Sequence, residues 1–222
     1  MQDTSIWRLD LRRIALDAMR APLNADERAR ADRYKVRGDH ERFVKSRGAL
    51  RRILAQQSGQ DARDLVFIEG DGRKPELRDH ASIHFNLSHS GDFTLIAVAA
   101  QPVGVDIEAI KPDIDWRAVA KTNFHPDERA AIGQRSDVSA RDAFFQVWTH
   151  KEAFLKATGI GLTDHLTSIS VPLEGGRISA PKSLSSATWY ATPLDAPRGY
   201  KASLVSRGAR PRMRDLTSSF SS

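Results

Sequence analysis

The stretch from Ile83 to Glu108 reads IHFNLSHSGDFTLIAVAAQPVGVDIE, and it provides the main sequence evidence for the predicted fold. Three runs in it are rich in apolar and β-branched residues, and short turn-forming segments separate them. The runs cover 83–87, 93–99 and 103–108. Such runs are typical of short strands, and turns of this length join antiparallel neighbours. The stretch therefore predicts an antiparallel meander of three strands.

Helical patterns precede this meander. Asn24 and Glu27 have the spacing of a capping box, which predicts a helix over residues 25–37. A second helix is expected from Asp39, with apolar residues at helical spacing, until Gly59 ends it. The first half of the chain therefore combines helices with a small sheet.

The second half repeats that composition. Two short helices, 116–121 and 126–132, and one long helix, 144–157, are expected. Three strands follow, 166–171, 187–192 and 200–206, and the end, 207–222, is polar and expected to be frayed. No sequence repeat is visible between the halves. The secondary-structure pattern predicts an α+β fold of two paired lobes, divided into residues 1–108 and 109–222.

Composition narrows the class of protein. The chain has 222 residues, 40% hydrophobic and 28% charged, as is ordinary for a globular protein. It lacks cysteine, so any metal must bind to oxygen or histidine ligands. No apolar run approaches the roughly 20 residues needed to span a bilayer, and the N-terminus lacks a secretory pattern. We therefore expect no membrane association and a cytoplasmic location.

Positive charge is concentrated near the N-terminus. The formal net charge is +6, and ten basic residues lie between positions 28 and 52. Such a stretch is compatible with binding to phosphates, nucleic acid or an acidic protein. Interspersed acidic residues equally permit a solvated helical face with ordinary ion pairs. Charge alone favours the solvated face, and a nucleic-acid-binding module remains the main alternative class.

An acidic pair occupies the last run of the meander. Asp106 and Glu108 are two residues apart, so both carboxylates project from one face of a strand. Mg²⁺ prefers oxygen ligands and commonly joins one or two carboxylates to substrate phosphates. Because the pattern is short and frequent, the pair taken alone favours an exposed strand face over a metal site.

The long helix carries a second charged pattern. Trp148, Glu152 and Lys156 are spaced four residues apart and share one face. One interpretation is an exposed ion pair beside a core tryptophan. The other has Glu152 completing a three-carboxylate metal site, with Lys156 neutralising phosphate charge. The spacing leaves these two interpretations open.

Taken in order, four motifs resemble those of the surfactin-type 4'-phosphopantetheinyl transferase family. They are Gly72-Arg73-Lys74-Pro75, Phe85-Asn86-Leu87-Ser88-His89-Ser90, Gly104-Val105-Asp106-Ile107-Glu108, and Trp148-x-x-Lys151-Glu152-Ala153-x-x-Lys156 with Gly159 and Gly161 beyond it. The resemblance extends over residues 24–206. It implies a monomer of two similar lobes, with coenzyme A bound in the cleft between them.

The resemblance also implies a reaction and its residues. Phosphopantetheine would move from coenzyme A to a serine of an apo acyl or peptidyl carrier protein, with Mg²⁺ as cofactor and no nucleic acid involved. The metal ligands would be Asp106, Glu108 and Glu152, with Glu152 also the base and Lys156 stabilising the leaving group. Contacts to coenzyme A would come from Arg30, Arg42, Lys74, Ser88 and His89.

Two details depart from that scheme or leave it open. Glu27 stands where members of the family carry a cation, so the clamp that Arg30, Arg42 and Arg28 would form around the adenosine 3'-phosphate is altered. Phe124 is expected either in a carrier-docking patch or in the core. The natural carrier is not named by the sequence: fatty-acid, polyketide and nonribosomal-peptide carriers all remain open.

Overall fold

The computed structural model describes residues 4–70, 74–161, 166–208 and 211–215. Within these ranges the helices are α1 (Leu16–Arg20), α2 (Ala25–Asp32), α3 (Arg37–Ser58), α4 (Trp116–Asn123), α5 (Pro126–Gly133) and α6 (Asp137–Thr158). The strands are β1 (Thr4–Asp10), β2 (Phe67–Glu69), β3 (Pro75–Leu77), β4 (His84–Ser90), β5 (Phe93–Ala99), β6 (Gly104–Ala109), β7 (Gly176–Arg177), β8 (Tyr190–Leu194), β9 (Tyr200–Ser206) and β10 (Pro211–Asp215). No helix in the described ranges is long and apolar enough to cross a membrane.

The first lobe is a sheet covered by α3. Its strand order is β10-β1-β5-β4, with β10 parallel to β1 and the other neighbours antiparallel. Apolar residues of α3, including Leu50 and Leu54, form one buried cluster with Ile96 of the sheet. Burial of this helical face against the sheet is the main stabilisation of the lobe.

The second lobe is a sheet covered by α6. Its order is β6-β9-β8-β7, and all pairs are antiparallel. The helix lies very close to the first strand, because a Cβ placed on Gly104 would come within 2.0 Å of the Ala153 carbonyl oxygen. A glycine is therefore required at the start of the strand that carries Asp106 and Glu108.

The two lobes have the same order of elements, which confirms the predicted α+β fold of two similar lobes. In each, a first strand is followed by a short capped helix and a long helix, and the last two strands complete the sheet in the orders β1-β5-β4 and β6-β9-β8. Both long helices have 22 residues and end at a left-handed glycine, Gly59 or Gly159, each with φ of 73°. Equivalent positions are about 100 residues apart along the chain.

A buried ion pair also occurs twice. Glu27 closes the capping box of α2 and accepts hydrogen bonds at 2.5 Å from Arg47 and Arg51 of α3. In the second lobe Glu128 closes the capping box of α5 and lies 3.0 Å from Lys151 of α6. The two acidic residues thus anchor the short helix of each lobe to its long helix.

The predicted three-stranded meander is wrong in its last strand. β4 and β5 are antiparallel neighbours, but β6 pairs with β9 in the second sheet. The alternation of β6 fits either sheet, so the local sequence could not choose between them. The predicted division after Glu108 falls inside β6, whereas the change of sheet lies between Ala99 and Gly104.

Two further expectations at helix and chain ends need correction. The first helix ends at Asp32 instead of continuing toward residue 37, and Gly38 lies inside the first turn of α3. The chain end is not entirely frayed, since 211–215 forms β10 beside β1; residues 209–210 and 216–222 lie outside the described ranges. A parallel partner for β1 leaves no local sequence signal.

Candidate active site

Asp106 is the most buried carboxylate of the cleft, at 1% exposure. Its Oδ1 accepts hydrogen bonds from the Ser88 hydroxyl at 2.8 Å and from Lys156 Nζ at 2.6 Å. Its Oδ2 is buried and has no hydrogen-bond partner among the described residues. A buried carboxylate oxygen of this kind is costly unless a donor or cation reaches it.

Glu108 and Glu152 both interact with Asp106; the shared strand face predicts the first neighbour, but the helix spacing does not predict the second. Burial and the Asp106 carboxylate raise the pKa of Glu108, although the Ser90 hydroxyl donates to it at 2.9 Å. Burial and Asp106 also raise the pKa of Glu152, with a further contribution from Glu108 and an opposing one from Lys156. Strand β6 and helix α6 therefore bring three interacting carboxylates and one lysine close together.

This donor set fits a hard divalent cation shared with a substrate. Asp106 Oδ2 is a buried oxygen that lacks a partner, and the neighbouring carboxylates repel each other. Across the described ranges, no three Asp, Glu or His side chains form a ready-made metal cluster. Mg²⁺ commonly takes only one or two carboxylates and completes its octahedron with water and phosphate oxygens. The fit is thus to an ion that arrives with a phosphate-bearing ligand.

A cavity of about 530 Å³ lies between α2, α3 and β4. Its walls include Arg30, Arg42 and His89, three of the five residues expected to bind coenzyme A. Burial, Arg42 and, to a smaller extent, Lys156 lower the pKa of His89. His89 therefore stands between the arginine-lined cavity and the lysine of the carboxylate cluster.

The arginines of the cavity are each held by a neighbouring side chain. The Arg42 guanidinium donates to Asp39 at 2.8 Å, and Arg30 lies 5.1 Å from the centre of the Phe43 ring. Arg47 also lines the cavity and pairs with Glu27, at 2.5 Å. The Asp39-to-Arg42 spacing of three residues is the one local signal that could have revealed part of this arrangement.

The structure also answers the question that Glu27 raised. Burial would raise the pKa of its carboxyl, but Arg51 and Arg47 outweigh burial and lower it. Glu27 is thus a charged counter-ion at the cavity wall. Arg28 donates to the Ala21 carbonyl at 3.0 Å and does not line the cavity, whereas Arg30 and Arg42 do. The clamp around the adenosine 3'-phosphate stays a prediction.

Lys74 and Ser88 have partners of their own. Lys74 Nζ donates to the Val103 carbonyl at 2.8 Å, and burial lowers its pKa to about 8. It lines a separate cavity of about 200 Å³, which shares Pro75 with the larger one. Ser88 donates its hydroxyl hydrogen to Asp106. Residues 71–73, which precede Lys74, lie outside the described ranges. The roles of Lys74 and Ser88 toward coenzyme A stay predictions.

Phe124 is a core residue. Its side chain is fully buried and stacks on Phe144 at a ring distance of 5.1 Å and on Trp148 at 6.4 Å. Of the two expectations for Phe124, the structure selects the core.

The buried His150 of α6 should make the free energy of unfolding of the protein depend on pH. It is fully buried, its Nε2 lies 3.2 Å from the Leu173 carbonyl, its Nδ1 has no partner among the described residues, and burial lowers its pKa to about 4. The unfolded chain, with an ordinary pKa of 6.5, therefore binds more protons between these values. The free energy of unfolding should fall by up to about 3 kcal/mol as pH drops from 6.5 to 4.

Thermal unfolding of wild type and His150→Gln across this pH range checks the expectation. The variant should lose less stability than wild type between pH 6.5 and 4.5, because glutamine does not titrate. Parallel pH curves for the two proteins would contradict it.

Known proteins resemble the chain over both of its lobes. Residues 102–205 match the model of the 4'-phosphopantetheinyl transferase superfamily, and residues 12–101 match that of the 4'-phosphopantetheinyl transferase N-terminal part. The chain is 36% identical over 166 residues to the 4'-phosphopantetheinyl transferase HetI of Nostoc sp., covering 72% of this chain and 70% of that protein. It is 31% identical over 180 residues to the 4'-phosphopantetheinyl transferase Sfp of Bacillus subtilis, covering 81% and 80%.

A solved structure, the holo-[acyl-carrier-protein] synthase of Thermotoga maritima, matches at 18% identity and a TM-score of 0.34, covering 49% of this chain and 64% of that one. The fold and the cleft define a two-lobed α+β protein whose site joins carboxylates, a lysine and an arginine-lined cavity. The sequence similarity to HetI and Sfp identifies the class of protein. The chain belongs to the 4'-phosphopantetheinyl transferase family.

Proposed function

We propose that this chain transfers the 4'-phosphopantetheine group of coenzyme A to a serine hydroxyl of an apo acyl or peptidyl carrier protein, giving the holo carrier and adenosine 3',5'-bisphosphate. The observation that carries the proposal is the convergence of Asp106, Glu108, Glu152 and Lys156 beside a cavity lined by arginines. Phosphoryl-type transfer depends chiefly on positioning and on neutralising charge that spreads over phosphate oxygens. A cleft with this composition is suited to both tasks.

Asp106, Glu108 and Glu152 would hold Mg²⁺. When bound, the ion would neutralise the pyrophosphate of coenzyme A and polarise the phosphorus that is attacked. The unpartnered Asp106 Oδ2 and the raised pKa values of both glutamates support this assignment. We include the ion as part of the proposal.

Glu152 is proposed as the base for the carrier serine. A serine hydroxyl is a weak nucleophile unless a base accepts its proton. Burial and Asp106 raise the pKa of Glu152, which makes it a better proton acceptor than an ordinary exposed glutamate. The serine oxygen would lose its proton to Glu152 and form the new bond to the phosphorus that carries pantetheine. The P–O bond to the bridging pyrophosphate oxygen would break, and adenosine 3',5'-bisphosphate would leave with that electron pair, its charge met by Lys156.

The cavity between α2 and α3 is proposed to hold the nucleotide end of coenzyme A. Arg30, Arg42 and His89 would face its phosphates, and the Phe43 and Tyr34 rings offer apolar surface in the same cavity. Guanidinium groups bind phosphate through two parallel hydrogen bonds. The positive net charge of the chain would assist encounter with an acidic carrier.

The alternative of nucleic-acid binding depends on the ten basic residues between positions 28 and 52. Arg37, Arg42, Arg47 and Arg51 each pair with a carboxylate of their own lobe. These four charges are therefore paired within the protein, and two of them, Arg47 and Arg51, also hold α2 against α3. The absence of nucleic-acid binding, like the monomeric state and the cytoplasmic location, stays a prediction.

The test is intact-mass analysis of a panel of apo carriers after incubation with the protein, coenzyme A and Mg²⁺. At least one carrier should gain the mass of one phosphopantetheine, and the gain should disappear when EDTA replaces Mg²⁺. Asp106→Ala should abolish it while keeping a cooperative thermal transition. No mass gain on fatty-acid, polyketide or nonribosomal-peptide carriers would overturn the proposal, and full activity of Asp106→Ala would overturn the site.

A further inference from the structure

The edge of β6 is closed by side chains from the other lobe. In an antiparallel pair every second residue directs its N–H toward the partner strand, so a strand with one neighbour leaves alternate N–H groups without a strand partner. In β6 these groups belong to Val105, Ile107 and Ala109. Their acceptors are the side chains of Asn86, Ser88 and Ser90 on β4, at 2.8, 3.4 and 3.0 Å respectively.

These three hydrogen bonds form a side-chain ladder between β4 and β6. Two of the side chains in this ladder also contact the carboxylates of β6. The Ser88 hydroxyl donates to Asp106 Oδ1 at 2.8 Å, and the Ser90 hydroxyl donates to Glu108 Oε2 at 2.9 Å. Each serine therefore contacts both a backbone N–H of β6 and the carboxylate of the residue preceding that N–H. The ladder joins the two lobes and, through the same atoms, orients the acidic pair.

Hydroxyl chemistry fixes the direction of these bonds. A serine hydroxyl has one hydrogen and two acceptor positions. Because the backbone N–H of Ala109 donates to Ser90 Oγ, the only hydrogen of Ser90 is available for Glu108. Ser88 is saturated, since it accepts from Ile107 and from Lys156 and gives its hydrogen to Asp106.

We propose that Ser90 is a positioning residue: it fixes the Glu108 carboxylate against the edge of β6 so that the acidic pair presents one divalent-cation site to the pyrophosphate. Ser90 is buried, at 9% exposure, and it is not among the side chains lining the arginine-rich cavity. It therefore acts on the cation through Glu108 and does not contact the nucleotide. This inference rests on the proposed function, because it assigns Glu108 to Mg²⁺.

The experiment is a calorimetric titration of Mg²⁺ into the protein saturated with coenzyme A, without carrier, so that no turnover occurs. Ser90→Ala should weaken Mg²⁺ binding about 10-fold, the lower end of what loss of a ligand's hydrogen-bond partner costs in metal sites. Ser90→Thr retains the hydroxyl and should stay near wild type. Ser206→Ala is the matched control, a buried serine of β9, and should bind Mg²⁺ as wild type does.

A double-mutant cycle separates positioning from general loosening of the lobe interface. In a Glu108→Gln background, Ser90→Ala should weaken Mg²⁺ binding no further, because the carboxylate through which Ser90 acts is gone. Coenzyme A affinity without metal should not change in Ser90→Ala. Should Ser90→Ala fail to fold, Ser90→Cys, with a weak thiol donor of similar shape, provides the same comparison.

The outcomes distinguish this inference from the proposed function. If wild type binds Mg²⁺ and Ser90→Ala binds it equally well, the positioning role is overturned and the transferase proposal stands. Additive losses in the Glu108→Gln background would also overturn it. If wild type with coenzyme A binds no Mg²⁺, the metal part of the proposed function fails, and the inference fails with it.

Discussion

A Lys156→Ala variant is expected to modify apo carrier about 10²–10³-fold more slowly than wild type in kcat/KM, the usual effect of deleting one preorganised charge donor in a polar active site. Lys156 is the cation closest to the acidic strand, 2.6 Å from Asp106 Oδ1 and 3.0 Å from the Ser88 hydroxyl. Without it, the charge that develops on the leaving bisphosphate loses its neutralising partner. Initial rates measured by intact mass at several coenzyme A concentrations check the expectation.

Lys201→Ala is the matched control for this variant. Lys201 is also paired with a carboxylate, lying 3.0 Å from Asp142, and its side chain is 28% exposed against 29% for Lys156. Its Cα is paired with that of Glu108 across β6 and β9, but its side chain reaches Asp142 near the start of α6, so its loss should change kcat/KM less than threefold. A Lys156→Ala rate within threefold of wild type, with the fold intact, would remove Lys156 from the catalytic set.

Local spacing indicated which of these residues share a face, and the resemblance to the family selected them as a site. The two-residue period of a strand places Asp106 and Glu108 on one face, and the helical period places Lys156 one turn beyond Glu152. Neither period says that the strand and the helix meet. That contact depends on Gly104, which lets α6 approach β6. In the sequence alone, a glycine within a strand is equally compatible with a bulge or a bend.

Sheet membership was beyond the reach of local pattern. β6 follows β5 after a short turn, yet its partner is β9, about 95 residues later in the chain. The polar alternation of Asn86, Ser88 and Ser90 was visible in the sequence, but only the structure shows that it supplies acceptors to the unpaired edge of β6. The same three residues would be an ordinary solvent-facing strand in another setting.

The internal repeat was hidden because the two lobes share a physical feature and not the same residues. Glu27 and Glu128 occupy the same capping position, but their partners are Arg51 in one lobe and Lys151 in the other. Both cations donate to carbonyls of the segment after their helix. An arginine in one lobe and a lysine in the other supply the cation that pairs with the buried glutamate. Because the residue types differ, a sequence comparison of the two halves finds no repeat.

Lys151→Met is expected to lower the free energy of unfolding by about 3–5 kcal/mol, because it leaves a buried carboxylate without its cation. Lys151 and Glu128 side chains are each 1% exposed and lie 3.0 Å apart, and Lys151 also donates to the carbonyls of Leu166 at 2.8 Å and Ile169 at 2.5 Å. Burial lowers the pKa of Lys151 and raises that of Glu128, and the charge of each group opposes the shift of the other. Urea unfolding monitored by circular dichroism measures the loss.

The double variant Glu128→Gln/Lys151→Met separates this mechanism from simple loss of packing. It removes both charges and keeps one amide oxygen, which can accept from either the Val171 or the His125 N–H, whereas Glu128 accepts from each with a separate oxygen. It should therefore be more stable than Lys151→Met alone, the non-additive result expected of residues in direct contact. Arg37→Met breaks the exposed pair with Glu41 and should cost no more than about 0.5 kcal/mol. A double variant less stable than Lys151→Met would show that the buried pair contributes through packing and not through charge compensation.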